Sequence, residues 1–158
     1  MKKLIVVFSV VVFTAMAASA QDKKPANFSI AANVGLPTTS GVSFAYGVDL
    51  QDDFPVAAST KITASVGYEG YTYKGISGSF GIIPLLGGVK FGLGDKLYGH
   101  AQLGYAFSTS SGGGGAFAYA PSIGYYVSPN FDIALKYLAS SKNGYTTGSL
   151  NLRFAYNF

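Results

Sequence analysis

From Phe28 to the last residue, apolar positions alternate with polar or small ones at a period of two. That period belongs to strands whose faces meet different surroundings, because successive side chains point to opposite sides of a sheet. The last segment is the plainest. Gly148, Leu150, Leu152, Phe154, Tyr156 and Phe158 share one face, and Ser149, Asn151, Arg153, Ala155 and Asn157 share the other. Upstream, Phe28, Ile30, Ala32, Val34 and Leu36 oppose Ser29, Ala31, Asn33 and Gly35. Val42, Phe44, Tyr46, Val48 and Leu50 likewise oppose Ser43, Ala45, Gly47, Asp49 and Gln51. Segments over 61–69, 85–92, 97–107, 117–127 and 131–139 repeat the split, which predicts eight strands, the fourth entering irregularly at Pro84.

Two kinds of connection alternate along the chain, as in a meander whose strands cross a layer. Gly94-Asp95-Lys96 and Ser128-Pro129-Asn130 read as tight turns. Residues 71–79, 108–115 and 140–146 read as longer, Gly- and Ser-rich connections on the side opposite the termini. Residues 37–41 are short for that side, and 52–60 read as a long turn on the other.

Which face points inward is a question of volume. An eight-stranded barrel has an interior that side chains just fill, or that holds one small ligand. The Phe, Tyr, Leu, Ile and Val set is too bulky for that space, whereas the Gly, Ala and Ser set fits it. Charge agrees: Asp49, Lys61, Glu69, Lys90, Asp132, Lys136 and Arg153 fall on the small, polar face, and His100 joins them. A Lys or Arg facing lipid at mid-depth costs about 2–4 kcal/mol. The expected fold is therefore all-β, an eight-stranded antiparallel up-and-down transmembrane β-barrel with a polar lumen. A closed barrel is also the sheet that can cross a bilayer with every backbone N–H and C=O paired. A soluble ligand-binding barrel, with its apolar face turned inward, is the weaker alternative.

Composition supports a surface solvated by something other than water. The chain is 49% hydrophobic and 15% aromatic, with 21 glycines and only 11% charged residues, against about 25% charged in soluble domains. It has no cysteine, so pairing and packing must hold it. Its formal net charge is +4, yet the basic residues are scattered, and no patch suits nucleic acid. Residues 1–20 read as a cleavable signal peptide: Lys2 and Lys3, an apolar run, then Ala18-Ser19-Ala20 as a small-residue cleavage site. That leaves 21–158 as one β-barrel domain.

The whole of that domain resembles the small eight-stranded outer-membrane β-barrel proteins of Gram-negative bacteria, the OmpA/OmpX type. The residues that carry the resemblance are the alternating end, Leu150, Leu152, Phe154 and Tyr156 into terminal Phe158, with the stretches at 83–90 and 119–125. The resemblance implies a cell outer-membrane location and contact with outer-membrane lipid and lipopolysaccharide. It further implies insertion by the barrel assembly machinery, with Leu152, Phe154, Tyr156 and Phe158 as the assembly signal, and a monomeric barrel. It does not fix an activity, because this architecture includes structural anchors, adhesion-related proteins and lipid A-modifying enzymes.

The residues offer little chemistry. His100 is the one histidine and so the one candidate general base. Gln102 stands where a His-x-Ser arrangement like that of barrel lipid A deacylases needs a serine. His100 also lies just after Asp95-Lys96-Leu97, toward the periplasmic half. One His, no Cys and scattered carboxylates give no metal-ligand spacing, and the Gly-rich run at 110–115 lacks the Lys-Ser/Thr and helix of a phosphate loop. No catalytic, cofactor or metal residue is assigned. Asp49, Lys61, Glu69, Lys90, His100, Asp132, Lys136 and Arg153 are expected to form a lumen polar network. Tyr71, Tyr73, Lys74, Lys142 and Tyr145 are expected in or beside the longer loops, either to touch lipopolysaccharide phosphates or a surface ligand or simply as part of an interfacial belt. The expected role is noncatalytic, structural or in surface interaction; a lipid A-modifying barrel enzyme is the alternative.

Overall fold

The computed structural model describes residues 28–110 and 112–158; the expected signal peptide and the mature start at Gln21 lie outside them. Eight strands follow in chain order: β1 (Phe28–Pro37), β2 (Val42–Ala57), β3 (Thr60–Tyr73), β4 (Ser79–Gly92), β5 (Leu97–Ser108), β6 (Gly115–Ser128), β7 (Phe131–Lys142) and β8 (Tyr145–Asn157). Each pairs antiparallel with its sequence neighbour, and β1 closes the cylinder on β8 through pairs such as Ala31 with Ala155. Closure removes every sheet edge, so each strand is paired on both sides. The strands are 10–16 residues long, and about 9–11 tilted residues cross a bilayer.

The apolar face is outside. Ile30, Val34 and Leu36 of β1 and Leu150, Leu152, Phe154 and Tyr156 of β8 are exposed, as are their counterparts around the barrel. Among the described strand residues, Asp52 is the one charge at an outward position, and it pairs with Phe28 at the end of the barrel that holds the termini. The outside is thus a continuous apolar band, which in water would be far larger than any patch a soluble monomer exposes.

Two expected connections are overturned. Residues 52–60 are not a long turn: β2 runs on to Ala57, and 58–59 suffice to reach β3. The Asp-Asp-Phe-Pro run carries turn-forming residues, but period-two alternation prevails, with Gln51 and Asp53 inside and Phe54 outside. Pro55 is accommodated beside a register shift next to the turn, where a missing ladder donor does little harm. Residues 140–146 are likewise not a long loop. Asn143 and Gly144, with φ of 51° and 82°, make a two-residue hairpin turn of the kind Asn-Gly favours. Connections 38–41, 74–78, 109–114 and 143–144 therefore crown one end, and 58–59, 93–96 and 129–130 lie with the termini at the other.

Glycine makes room on both faces. Gly47 is paired with Glu69, and a Cβ there would collide with Glu69 Oε2. On the outside Gly99 pairs with Phe91, whose ring covers it so closely that a Cβ would meet ring carbon at 2.6 Å. The abundance of glycine in these strands thus follows from large cross-strand neighbours lying flat over small ones.

Candidate functional site: the barrel lumen and its outer mouth

The lumen is layered. Near the termini it holds a charged network, because inward positions there carry acids and bases on neighbouring strands. Asp49 accepts from Asn33 Nδ2 at 2.8 Å and from Arg153 Nη2 at 3.0 Å, with Lys136 Nζ at 3.4 Å. Arg153 also reaches Asp132 at 3.5 Å, and Asp132 accepts from the Tyr98 hydroxyl and from Asn157 Nδ2 at 2.9 Å. Lys90 donates to Asp53 at 2.7 Å, and Gln51 donates to the same carboxylate at 2.6 Å. The Lys90 ammonium also lies 4.9 Å from the Tyr98 ring centre, in cation–π reach. These ionised groups are nearly fully buried, and such burial is tolerable only because each charge has partners.

Above this network the contacts become neutral. Glu69 accepts from Ser149 Oγ at 3.0 Å and Asn151 Nδ2 at 2.8 Å, and Gln102 donates to Ser65 at 2.7 Å. Next comes an apolar layer of Ala45, Tyr71, Ile82, Leu86, Ala106, Ala118, Ala120 and Leu138, with Phe80 packed on it. Tyr71 and Phe80 stack at 5.0 Å. Over that layer opens a cavity of about 410 Å³, lined by Phe80, Ile82 and Ala106 below and by Lys142, Asn143 and Tyr145 at its rim.

The eight residues expected in the lumen are placed as follows. Asp49, Glu69, Lys90, His100, Asp132, Lys136 and Arg153 are buried inside. Lys61 sits at the lower rim instead, its side chain 35% exposed and 3.6 Å from Asp53, because its strand has barely entered the barrel. Tyr71, expected beside a loop, is wholly buried, since β3 extends to Tyr73 and turns it inward. Asp53 was hidden by the apparent turn at 52–60, although it continues the parity of Asp49 and Gln51.

His100 is held through Nε2 by Thr63 Oγ1 at 2.8 Å and is paired across the ladder with Lys90. It therefore belongs to the charged layer, on the far side of the apolar layer from the cavity. Among the described residues, no three His, Cys, Asp or Glu side chains gather where a metal ion could be held. Leu152, Phe154, Tyr156 and Phe158 all face outward and are exposed.

No family model matches the chain, and no curated protein matches its sequence. Solved structures do match. Ail, the attachment invasion locus protein of Yersinia pestis, superposes with a TM-score of 0.61 at 18% identity, covering 87% of this chain and 100% of Ail. The fold is that of the small eight-stranded outer-membrane barrels. The N-terminal β-barrel domain of OprF from Pseudomonas aeruginosa gives 0.61 at 15% identity over 85% of this chain and 100% of that domain. The outer-membrane enzyme PagL gives 0.61 at 14% identity over 82% of this chain and 99% of its own. At these identities the outer-membrane barrel fold is what the neighbours share with this chain. Their differing roles mean that residues must decide between them.

Proposed function

We propose that this chain is a noncatalytic, monomeric outer-membrane barrel that anchors in lipid by its apolar band and meets lipopolysaccharide or another anionic surface ligand at its crowned end. In this reading residues 1–20 direct export and are removed, and the termini and connections 58–59, 93–96 and 129–130 face the periplasm. The observation that carries it is the division of charge: inside, acids and bases, all but Glu69 and His100 in ion pairs; outside, an almost uncharged band; and at the crowned end only Lys74 and Lys142, with no acid in connections 38–41, 74–78, 109–114 or 143–144. Cations with no acid beside them at that end suit the phosphates of lipopolysaccharide.

The enzyme reading draws on the likeness to PagL. Against it, His100 has Thr63 rather than a serine nucleophile as partner, and it lies beneath the apolar layer. Fractionation with surface labelling tests the proposal. The mature protein should sediment with outer membranes, and a tag at Gly113 should be reachable on intact cells while one at Asp95 is not. Lipid A from cells expressing the protein and its His100→Ala variant should be identical by mass spectrometry. A soluble periplasmic protein defeats the anchoring role, and a lipid A change lost in the folded His100 variant defeats the noncatalytic one.

A further inference from the structure

We propose that the mouth cavity is a binding site for a small anionic amphiphile, a single aliphatic chain whose charged end rests on Lys142 and whose chain lies on Phe80, Ile82 and Ala106. The inference deepens the surface-interaction reading by naming the class of ligand that the crowned end takes. At about 410 Å³ the cavity falls in the range of sites for small molecules, about 300–1,000 Å³.

Its floor is apolar. Ile82 and Ala106 belong to the apolar layer, and Tyr71, Leu86 and Leu138 complete that layer beneath them, so a chain entering from the mouth meets hydrocarbon and no charge. The wall is short and polar: Ser140 and Thr147, paired across β7 and β8, both line it. At the rim the Lys142 ammonium donates to Gly113 O at 2.7 Å. An ammonium has three donors, so Lys142 keeps donors for an anion while the loop fixes its position. The connections around the mouth carry no acid to neutralise it. A headgroup held at the rim stays hydrated, which avoids the cost of burying a charge. A polar, uncharged solute would leave the floor unsatisfied, and a neutral chain would leave Lys142 unused.

The full mature protein, refolded in a non-ionic detergent, can be titrated with decanoate and with decyl phosphate by displacement of a dansyl-labelled undecanoate. Saturable one-to-one binding of either anion is expected, and the stronger of the two identifies the headgroup. Decanol should bind far more weakly. Lys142→Ala should weaken binding about tenfold, the loss of one charge-assisted contact. Ala116→Phe, which fills the cavity, should abolish it, and Ser108→Phe serves if that variant does not fold. Equal binding of decanol, undiminished binding in a folded cavity-filled variant, or no saturable binding overturns the proposal. None of these outcomes bears on which end faces outward, which the tag experiment decides alone.

Discussion

Arg153 places two donors on one oxygen of Asp49, Nε at 3.2 Å and Nη2 at 3.0 Å, although the two residues stand on β8 and β2 with β1 between them. The span is possible because the inner face of β1 presents only the small Ala31 opposite Asp49 and the short Asn33 opposite Arg153, and Asn33 itself donates to Asp49. Arg153→Ala would leave Asp49 to Lys136 and Asn33 and deprive Asp132 of the cation it shares with Asp49. Removing one partner of a buried pair costs about 3–5 kcal/mol. Urea unfolding of the barrel in lipid vesicles should show a loss of that order, and Arg153→Lys a smaller one because the planar fork is gone. A loss below about 1 kcal/mol for the alanine variant would mean that Lys136 and Asn33 satisfy Asp49 without Arg153.

Asp53 separates two lysines that the sequence does not distinguish. Lys90 meets it at 2.7 Å from a buried position, whereas Lys61 meets it at 3.6 Å from the rim. Exposed pairs contribute about 0–1 kcal/mol. Lys61→Ala should therefore unfold nearly as the parent does, and Lys90→Ala several kcal/mol more easily, on the order given for a broken buried pair. Similar losses in both, measured in the same vesicles, would place Lys61 inside the barrel.

The strand count and the inward face were legible from parity alone, because a barrel wall in lipid forces each residue to one side or the other. Reading was hardest where a local turn signal competed with parity. At 52–60 the Asp-Asp and Pro pointed to a turn, and Asp53 was lost from the network with it. At 143–144 the opposite happened: Asn-Gly specifies a tight hairpin, but the surrounding Ser, Thr and Gly made the stretch look like a long loop. The layering of the lumen was not legible, since Tyr71, Ile82, Leu86 and Leu138 carry no mark in sequence that they converge at one height. Their meeting depends on strand stagger, which parity does not contain.

That apolar layer should make the barrel electrically silent. Tyr71, Leu86 and Leu138 lie across the lumen above the charged network, and an ion crossing them would shed its water with nothing to replace it. Planar bilayers holding the purified protein should carry no sustained current. The double variant Tyr71→Ser, Leu138→Ser should open discrete conductance if the layer is the barrier. A parent barrel that conducts steadily would show that the layer moves aside.

Phe158 and Asn157 are neighbours on opposite faces of the wall, which allows a test that separates assembly from stability. Phe158 is exposed on the lipid side beside Tyr156, their rings 5.0 Å apart, and its N–H donates to Phe28 O at 3.0 Å. Its ring closes the outward row that begins with Leu152, and nothing in the lumen depends on it. Asn157, on the inner side, donates to Asp132 at 2.9 Å and so contributes to the charged layer, about 1.5–3 kcal/mol for a bond to a charged group. On the proposal that the row Leu152, Phe154, Tyr156 and Phe158 is a signal read by an assembly machinery, deleting Phe158 should reduce the folded, heat-modifiable fraction in cells. It should leave spontaneous refolding into vesicles nearly unchanged, because little buried surface is lost. Asn157→Ala should do the reverse, inserting normally in cells and unfolding earlier in urea. If both variants fail equally in cells and in vesicles, the terminal row is a packing element and not a recognition signal.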